Sequence, residues 1–415
     1  MIYVALGIVI ATFALIIKNF ETRMVLAGSG ILMAVLGGDG GYAVTQFVKA
    51  MTGGVVPTIC TVLGFSYVMQ YTKCSDHLVV FLTNCLKKLP FIIIPATVIV
   101  TWLLSIALPS AAGIAAAVGA LLIPTLLKMG VKPAMAASAV YLGTWGNVIS
   151  PGMALNPMLA DIAQVDVMTV IARIVPSSFM GLAAATIVLT LLAYFMKEGV
   201  DFSKAKMTDD SGEQLRVNYL YALIPIIPLV ILVLGSKQVA LIPYIDVPTS
   251  MLIGSVLGIA VTRINVAEAI KKFFKGTGDG YCEVIGLMCA AAVFCGGMKV
   301  IGLTDYLVEV MKNSQALAQL TAATGPFFMA MVSGSGNAAS LAFYGSVVPH
   351  APDMGYGIIE LGSVAQIAAG LGRTMSPVAA TIICAKFAGV SPMDIAKRNA
   401  LPTLAALVVI TLMLL

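Results

Sequence analysis

The sequence predicts an all-α integral membrane protein of two inverted repeats, with about ten transmembrane helices and two re-entrant hairpins. Three observations predict it: an apolar composition, apolar runs that recur at near-spanning length, and a motif that returns 226 residues further on. Of 415 residues, 60% are hydrophobic and only 10% are charged, and the mean hydropathy is +1.00. A soluble domain is roughly 25% charged and about 45–50% apolar, so both figures depart toward lipid. The net charge of +5 is no nucleic-acid footprint, because the 24 basic residues are scattered along the chain. Seven cysteines without CxxC spacing, mostly in apolar runs, point away from a disulfide frame or a zinc site. His77 and His350 are the only histidines, so neither a resident metal nor another cofactor is expected.

Crossing the hydrocarbon takes ~20 mostly apolar residues. Runs near that length lie at about 2–17, 24–40, 53–72, 133–160, 167–196, 218–236, 239–262, 280–304, 357–385 and 399–415. The first has neither a basic flank nor a small-residue cleavage signal and reads as a span, not a removed signal peptide. Stretches 89–127 and 316–351 are too long for one helix. They are broken by Leu108-Pro109-Ser110-Ala111-Ala112-Gly113 and by Ser333-Gly334-Ser335-Gly336-Asn337-Ala338. Each reads as two helices or as one hairpin with the break at its tip.

Basic residues collect on the cytoplasmic side of membrane proteins. Lys87 and Lys88 precede the first stretch and Lys128 and Lys132 follow it, which suits a hairpin that dips in and returns. With the N-terminus outside and both stretches as hairpins, every Lys and Arg is cytoplasmic except Lys49, Lys237, Lys299, Lys312, Arg173 and Arg373. The second hairpin then enters from the opposite face, where Asp305, Glu309 and Asp353 are acidic.

The repeat is the most informative feature. Gly146-Asn147-Val148-Ile149-Ser150-Pro151 returns as Gly372-Arg373-Thr374-Met375-Ser376-Pro377, and Met129-Gly130 returns as Met354-Gly355. Ser110-Ala111-Ala112 is matched with Asn337-Ala338-Ala339. Residues 1–196 form one repeat, 197–217 a cytoplasmic linker with Asp209-Asp210-Ser211-Gly212-Glu213, and 218–415 the second repeat. Each has three spans, a hairpin and two further spans, the first of these broken at Gly-x-x-x-Ser-Pro. An odd number of crossings between equivalent elements inverts one repeat relative to the other.

Non-helical backbone at membrane depth leaves N–H and C=O groups that protein, water or ligand must satisfy. In inverted-repeat carriers half-helix N-termini face anionic substrate groups and freed carbonyls hold coupling ions. Ser110, Thr144, Asn147 and Ser150 in one half, and Ser333, Ser335, Asn337, Thr374 and Ser376 in the other, supply hydroxyls and amides for that work. Gly143, Gly146, Gly334, Gly336, Gly370 and Gly372 let a ligand approach the backbone. Arg373 replaces the repeat-equivalent Asn147 with a permanent cation whose fork fits a carboxylate. An intramembrane arginine costs at least ~2.5 kcal/mol, so an anionic, carboxylate-bearing substrate is expected; Glu360 or Asp394 as a structural ion-pair partner is the alternative. Arg173, near a span end, reads as an interfacial residue. Glu283 and Asp305 are candidate proton carriers, but both stand near span ends. Residues 263–275 read as an amphipathic surface helix. The Gly276-Thr277-Gly278-Asp279 string lacks the second membrane aspartate that an intramembrane protease needs.

The tip strings Leu108-Pro109-Ser110-Ala111-Ala112-Gly113 and Ser333-Gly334-Ser335-Gly336-Asn337-Ala338 resemble those of the anaerobic four-carbon dicarboxylate carriers, Dcu type C, of the ion transporter superfamily. The resemblance covers the whole chain by topology. It implies a homodimer whose outer spans form a scaffold, with hairpins and broken helices moving as an elevator-type transport domain. Carried over, it places substrate at Ser110, Asn147, Ser150, Ser335, Asn337, Arg373, Thr374 and Ser376. Ions would lie near Ser110, Gly146, Asn147, Ser333, Gly336, Asn337 and Gly372. Sodium-coupled members carry Ser-Asn-Thr at both tips and this chain has it at neither, so sodium coupling, proton coupling and anion exchange all stay open. The expectation is a secondary transporter of small carboxylates, four-carbon dicarboxylates first, in a bacterial inner membrane. A carrier for another organic anion or amino acid, or a sodium/proton antiporter, is the alternative.

Overall fold

The computed structural model describes the chain except residues 19, 87–91, 109, 201–216, 238, 313–314 and 378–379, and the side chains of 17, 85, 86, 312 and 315. Lys87, Lys88, Pro109 and most of the expected linker lie outside the described residues. All regular structure among the described residues is helical. Five helices are long and apolar enough to cross a membrane, or six if Gly40–Met51 and Val56–Tyr71, bent by 49°, count as one span. Five shorter apolar helices, among them Ile93–Ala107 and Val247–Thr262, accompany them.

Helix starts are set by local capping. Glu21, Asp39, Asp166, Asp246, Asn265 and Ser391 each accept a backbone N–H two or three residues on, satisfying one orphan donor of the first turn. These caps move several boundaries away from those read by hydropathy. The run 239–262 becomes helical only at Val247, after Asp246, and the run 399–415 belongs to a helix that starts at Pro392, after Ser391. The amphipathic segment does not stand apart: Val266–Asp279 passes through a π-helical turn, Gly280–Ile285, into Gly286–Val300. Its Asp279 accepts a hydrogen bond from Tyr67 Oη at 2.6 Å. Gly40–Met51, Cys74–Leu86 and Leu303–Lys312 are helices that hydropathy did not reveal, because each carries a polar face.

Both interrupted stretches are helix–break–helix units. The first has arms Ile93–Ala107 and Ala111–Lys128, the second Gln315–Ser333 and Gly336–Ser346. Each Gly-x-x-x-Ser-Pro break is also present: Pro133–Leu142 continues as a 3-10 segment, Gly143–Ile149, before Leu155–Ala163, and Ile358–Thr374 is followed by Ala380–Ala388.

Helix starts in the two halves keep a constant spacing. Thr22 and Val247, Ala111 and Gly336, Pro133 and Ile358, Leu155 and Ala380, and Val167 and Pro392 all stand 225 apart. This register pairs Ser110 with Ser335, not with Asn337, and both serines cap the second arm of their unit. Gly130 and Gly355, also 225 apart, end the equivalent segments with φ of +83° and +82°, which glycine adopts without a Cβ clash.

Two packing groups result. Thr22–Leu36, Gly40–Met51, Val56–Tyr71, Val247–Thr262 and Val266–Val300 pack among themselves. The two units, the broken helices and the long pair Val167–Phe195 and Pro392–Leu414 form the second group. Gly286–Val300 packs on Gly336–Ser346 where the groups meet.

Candidate functional site

The two capped helix starts open onto one cavity. Ser110 Oγ accepts the Gly113 N–H at 3.2 Å and Ser335 Oγ accepts the Ala338 N–H at 3.3 Å, a matched pair of N-caps. In the second tip Gly334 takes φ +72°, and the Ser335 N–H donates to Ser333 Oγ at 3.2 Å. Ser110, Ala111, Gly334, Ser335, Gly336 and Asn337 line a cavity of about 350 Å³. That volume is in the ~300–1,000 Å³ range of small-molecule sites. Helix N-termini carry partial positive charge, so both tips favour an anion there.

The broken helices supply the rest of the wall with Asn147, Val148, Gln366, Gly370 and Arg373. Ile59, Val62, Leu63 and Ser66 of Val56–Tyr71, and Val284 of the π-helical turn, close it from the other packing group. Arg373 is the only charged residue in the lining among the described residues. Its Nη2 donates to the Thr144 carbonyl at 3.3 Å, while Nη1 is buried and unpartnered among the described residues. Nor does Arg373 form an ion pair among them. Glu360 instead accepts Arg173 Nε at 2.7 Å. Asp394 uses its backbone carbonyl to accept Arg398 Nη1 at 2.9 Å.

Of the residues singled out in the sequence, the cavity brings together Ser110, Asn147, Ser335, Gly336, Asn337 and Arg373. Ser150, Ser333, Thr374, Ser376, Gly146 and Gly372 lie off its lining. Ser150 Oγ accepts the Gly152 N–H at 3.3 Å and borders a smaller neighbouring void with Ser66. Ser333 faces an apolar cavity of about 250 Å³ beside Phe13, Phe328 and Val332. Thr374 Oγ1 donates back to the Leu371 carbonyl at 2.7 Å, within its own helix. Ser376 is fully buried and accepts Thr381 Oγ1 at its carbonyl.

Gly146 and Gly372 serve backbone packing. A Cβ on Gly146 would stand 2.2 Å from the Trp102 carbonyl oxygen, and one on Gly372 2.1 Å from that of Phe327. Trp102 and Phe327 belong to the first arms of the two units and are again 225 apart. Each broken helix therefore lies directly against its own unit.

Sequence reading missed a buried amide network. Gln366 Nε2 donates to Asn156 Oδ1 at 2.8 Å and to the Val148 carbonyl at 2.9 Å, while Gln366 Oε1 accepts Tyr344 Oη at 2.8 Å. Asn156 Nδ2 donates to the carbonyls of Val148 and Ser150, both at 2.8 Å. Asn156 and Tyr344 are fully buried and Gln366 is 1% exposed, so the network fixes the first break without solvent. A lone Gln in the apolar middle of a membrane helix was the available signal.

Among the described residues no carboxylate lines the cavity; Glu283 and Asp305 are both exposed elsewhere. One guanidinium nitrogen of Arg373 is thus without a partner among the described residues, and the cavity that Arg373 lines is bordered by two helix N-termini.

A family model described as the C4-dicarboxylate anaerobic carrier, DcuC, matches residues 2–415. The chain is similar to the anaerobic C4-dicarboxylate transporter DcuC of Escherichia coli K12, with 25% identity covering 97% of this chain and 94% of that one. It is also similar to a probable DcuC of Vibrio cholerae, with 27% identity covering 99% and 96%. A putative uncharacterized transporter of Haemophilus influenzae is 38% identical, covering 61% of this chain and 95% of that one. Among solved structures, the Alcanivorax borkumensis YdaH transporter has a TM-score of 0.61 at 13% identity, covering 89% of this chain and 86% of its own. The Neisseria gonorrhoeae efflux pump MtrF gives 0.60 at 14%, covering 92% and 84%; both show likeness of fold. By the family match along nearly its whole length, the chain belongs to the DcuC family of C4-dicarboxylate anaerobic carriers, multi-pass membrane transporters and not enzymes.

Proposed function

We propose that the chain exchanges four-carbon dicarboxylates such as succinate, fumarate and malate across a bacterial inner membrane. The observation that carries this reading is Arg373, the single charge lining a cavity between two capped helix N-termini among the described residues, with its Nη1 buried and without a partner among them. One carboxylate pairs with Arg373 and the other lies at the Ser110 and Ser335 helix starts, with Asn147 and Asn337 donating amide hydrogens. The names of the curated relatives support this substrate class.

We further read the two halves as inverted repeats and the protein as a homodimer working by an elevator motion. The constant spacing of helix starts and the separate packing of the two helix groups support the first and third of these. The cavity, walled by both groups, would be carried with the hairpin group past Val56–Tyr71. A sodium/proton antiporter is the poorer reading, since among the described residues no carboxylate lines the cavity and Glu360 is committed to Arg173.

The test is uptake of labelled succinate into proteoliposomes, comparing empty vesicles with vesicles preloaded with fumarate or malate. Uptake that depends on preload is expected. No uptake into either, from protein that is folded and inserted, sinks the assignment and sends the search to other anions.

A further inference from the structure

Val148 and Arg373 stand 225 residues apart, each beside a helix break. Each offers its carbonyl to a side chain from the broken helix of the other half. Gln366 Nε2 donates to Val148 O at 2.9 Å, and Tyr141 Oη donates to Arg373 O at 3.2 Å. Gln366 and Tyr141 are themselves 225 apart. A second contact repeats within each half: Asn156 donates to Ser150 O and Thr381 to Ser376 O, and Asn156 and Thr381 also stand 225 apart.

A carbonyl oxygen has two lone pairs, and at Val148, Ser150 and Arg373 both are used. Val148 O accepts from Asn156 as well as from Gln366. Ser150 O accepts Asn156 Nδ2 and the Met153 N–H at 3.1 Å. Arg373 O accepts Tyr141 Oη and the Ser376 N–H at 3.0 Å. Thr374 O takes Asn399 Nδ2 at 3.0 Å. A metal cation at Val148, Ser150 or Arg373 would have to displace two donors from the carbonyl oxygen and would meet the hydrogen-bearing ends of amides and hydroxyls. Freed carbonyls of this kind are what hold the coupling cation in inverted-repeat carriers.

We propose that Tyr141 and Gln366 are a reciprocal pair of positioning residues that close the two helix breaks with protein donors where a coupling metal cation would bind, so the anion site is held ready without sodium. This rests on reading the cavity as a dicarboxylate site. Polar groups at membrane depth need some partner, but that need alone does not produce the same crossed contact at the same spacing on both breaks. Tyr141 holds the backbone of Arg373 while the Thr144 carbonyl holds its guanidinium, so removing the phenol loosens the anion's partner without touching the anion.

The test melts detergent-purified, full-length protein in sodium chloride and in choline chloride at equal ionic strength. It also follows succinate exchange by the same protein in proteoliposomes in the two salts. Equal melting temperatures and exchange rates within about twofold are expected, because a cation that binds the folded state alone would raise stability. A sodium-specific rise in melting temperature overturns the proposal whether or not succinate is carried. Sodium-independent melting without any succinate exchange supports the closed breaks and defeats the dicarboxylate reading alone.

Tyr141→Phe deletes one hydroxyl and is expected to raise the succinate KM about tenfold, the worth of one lost buried hydrogen bond, with the maximal rate within about twofold. In an Arg373→Lys background the same change is expected to add little, because both act on one group. Full additivity would mean a structural role only and would overturn the positioning role. Gln366→Met, of similar volume, gives the matching readout at the first break should Tyr141→Phe fail to fold, and an unchanged KM there would also count against the pair.

Discussion

Arg173 Nε donates to Glu360 Oε1 at 2.7 Å, tying the start of Val167–Phe195 to the start of Ile358–Thr374. Glu360 shares a helix with Arg373 but sits in its first turn while Arg373 sits in its last. At a rise of about 1.5 Å per residue they stand roughly 20 Å apart, so the pair engages the carboxylate well away from the cavity cation. Arg173 is 53% exposed, and exposed pairs contribute about 0–1 kcal/mol. Replacing both partners, Arg173→Gln with Glu360→Gln, is therefore expected to change thermal stability little and to leave the succinate KM within about twofold. A large rise in KM would place Glu360 in the transport chemistry.

The glycines at the breaks separate by what surrounds them. Gly146→Ala and Gly372→Ala drive a methyl into the carbonyls of Trp102 and Phe327, which are backbone and cannot swing aside. Overpacking of this kind costs about 1–3 kcal/mol or more, so both variants should melt lower and lose transport. Gly28→Ala and Gly278→Ala meet no atom within 4 Å and should behave as wild type. Melting temperatures of the four variants decide it.

Ser110 and Ser335 each accept a first-turn N–H of the helix that they start. Ser→Ala at either position should cost about 1 kcal/mol and Ser→Gly only a few tenths. If the caps also aim the helix ends at substrate, KM should rise in Ser335→Ala more than stability loss explains. Equal KM across Ala and Gly variants would confine the serines to capping.

His77 gives a pH dependence away from the cavity. Its Nδ1 accepts the Asn218 backbone N–H at 3.2 Å, and its ring lies edge-on to Tyr221. Burial holds the imidazole below its ordinary pKa, with Lys73 adding to the depression and Asp76 opposing it. A base depressed in the folded state stabilises the protein above its unfolded value, about 6.5, and that contribution fades as pH falls below it. The fall in melting temperature between pH 8 and pH 5 should thus be smaller in His77→Gln than in wild type, and an equal fall would refute this account.

Much of the architecture was legible because bilayer burial imposes long apolar runs and because the tips interrupt them with Ser, Gly and Asn. The register was legible only within two residues. Matching Ala111-Ala112 to Ala338-Ala339 set Ser110 against Asn337, whereas the fold pairs residues by role. Glu21 with Asp246, Ser110 with Ser335, and Asp166 with Ser391 are N-caps 225 apart, yet only one of these pairs keeps its residue type. Asn156, Gln366 and Tyr344 stayed hidden for a different reason. Their partners lie on other helices, up to 218 residues away, and no local pattern records such a distance. The chemistry of Gly146 and Gly372 was equally silent, since a missing side chain admits a ligand or a neighbouring backbone alike.

The central claim is that Arg373 holds one carboxylate of the substrate. Equilibrium binding of labelled succinate to purified protein tests it most directly, with Arg373→Gln and Arg373→Lys beside wild type. A charge-assisted pair contributes about 1.5–3 kcal/mol, so Arg373→Gln should weaken binding by about ten- to a hundredfold, with Arg373→Lys in between. Folded Arg373→Gln protein that binds succinate as tightly as wild type would contradict the account.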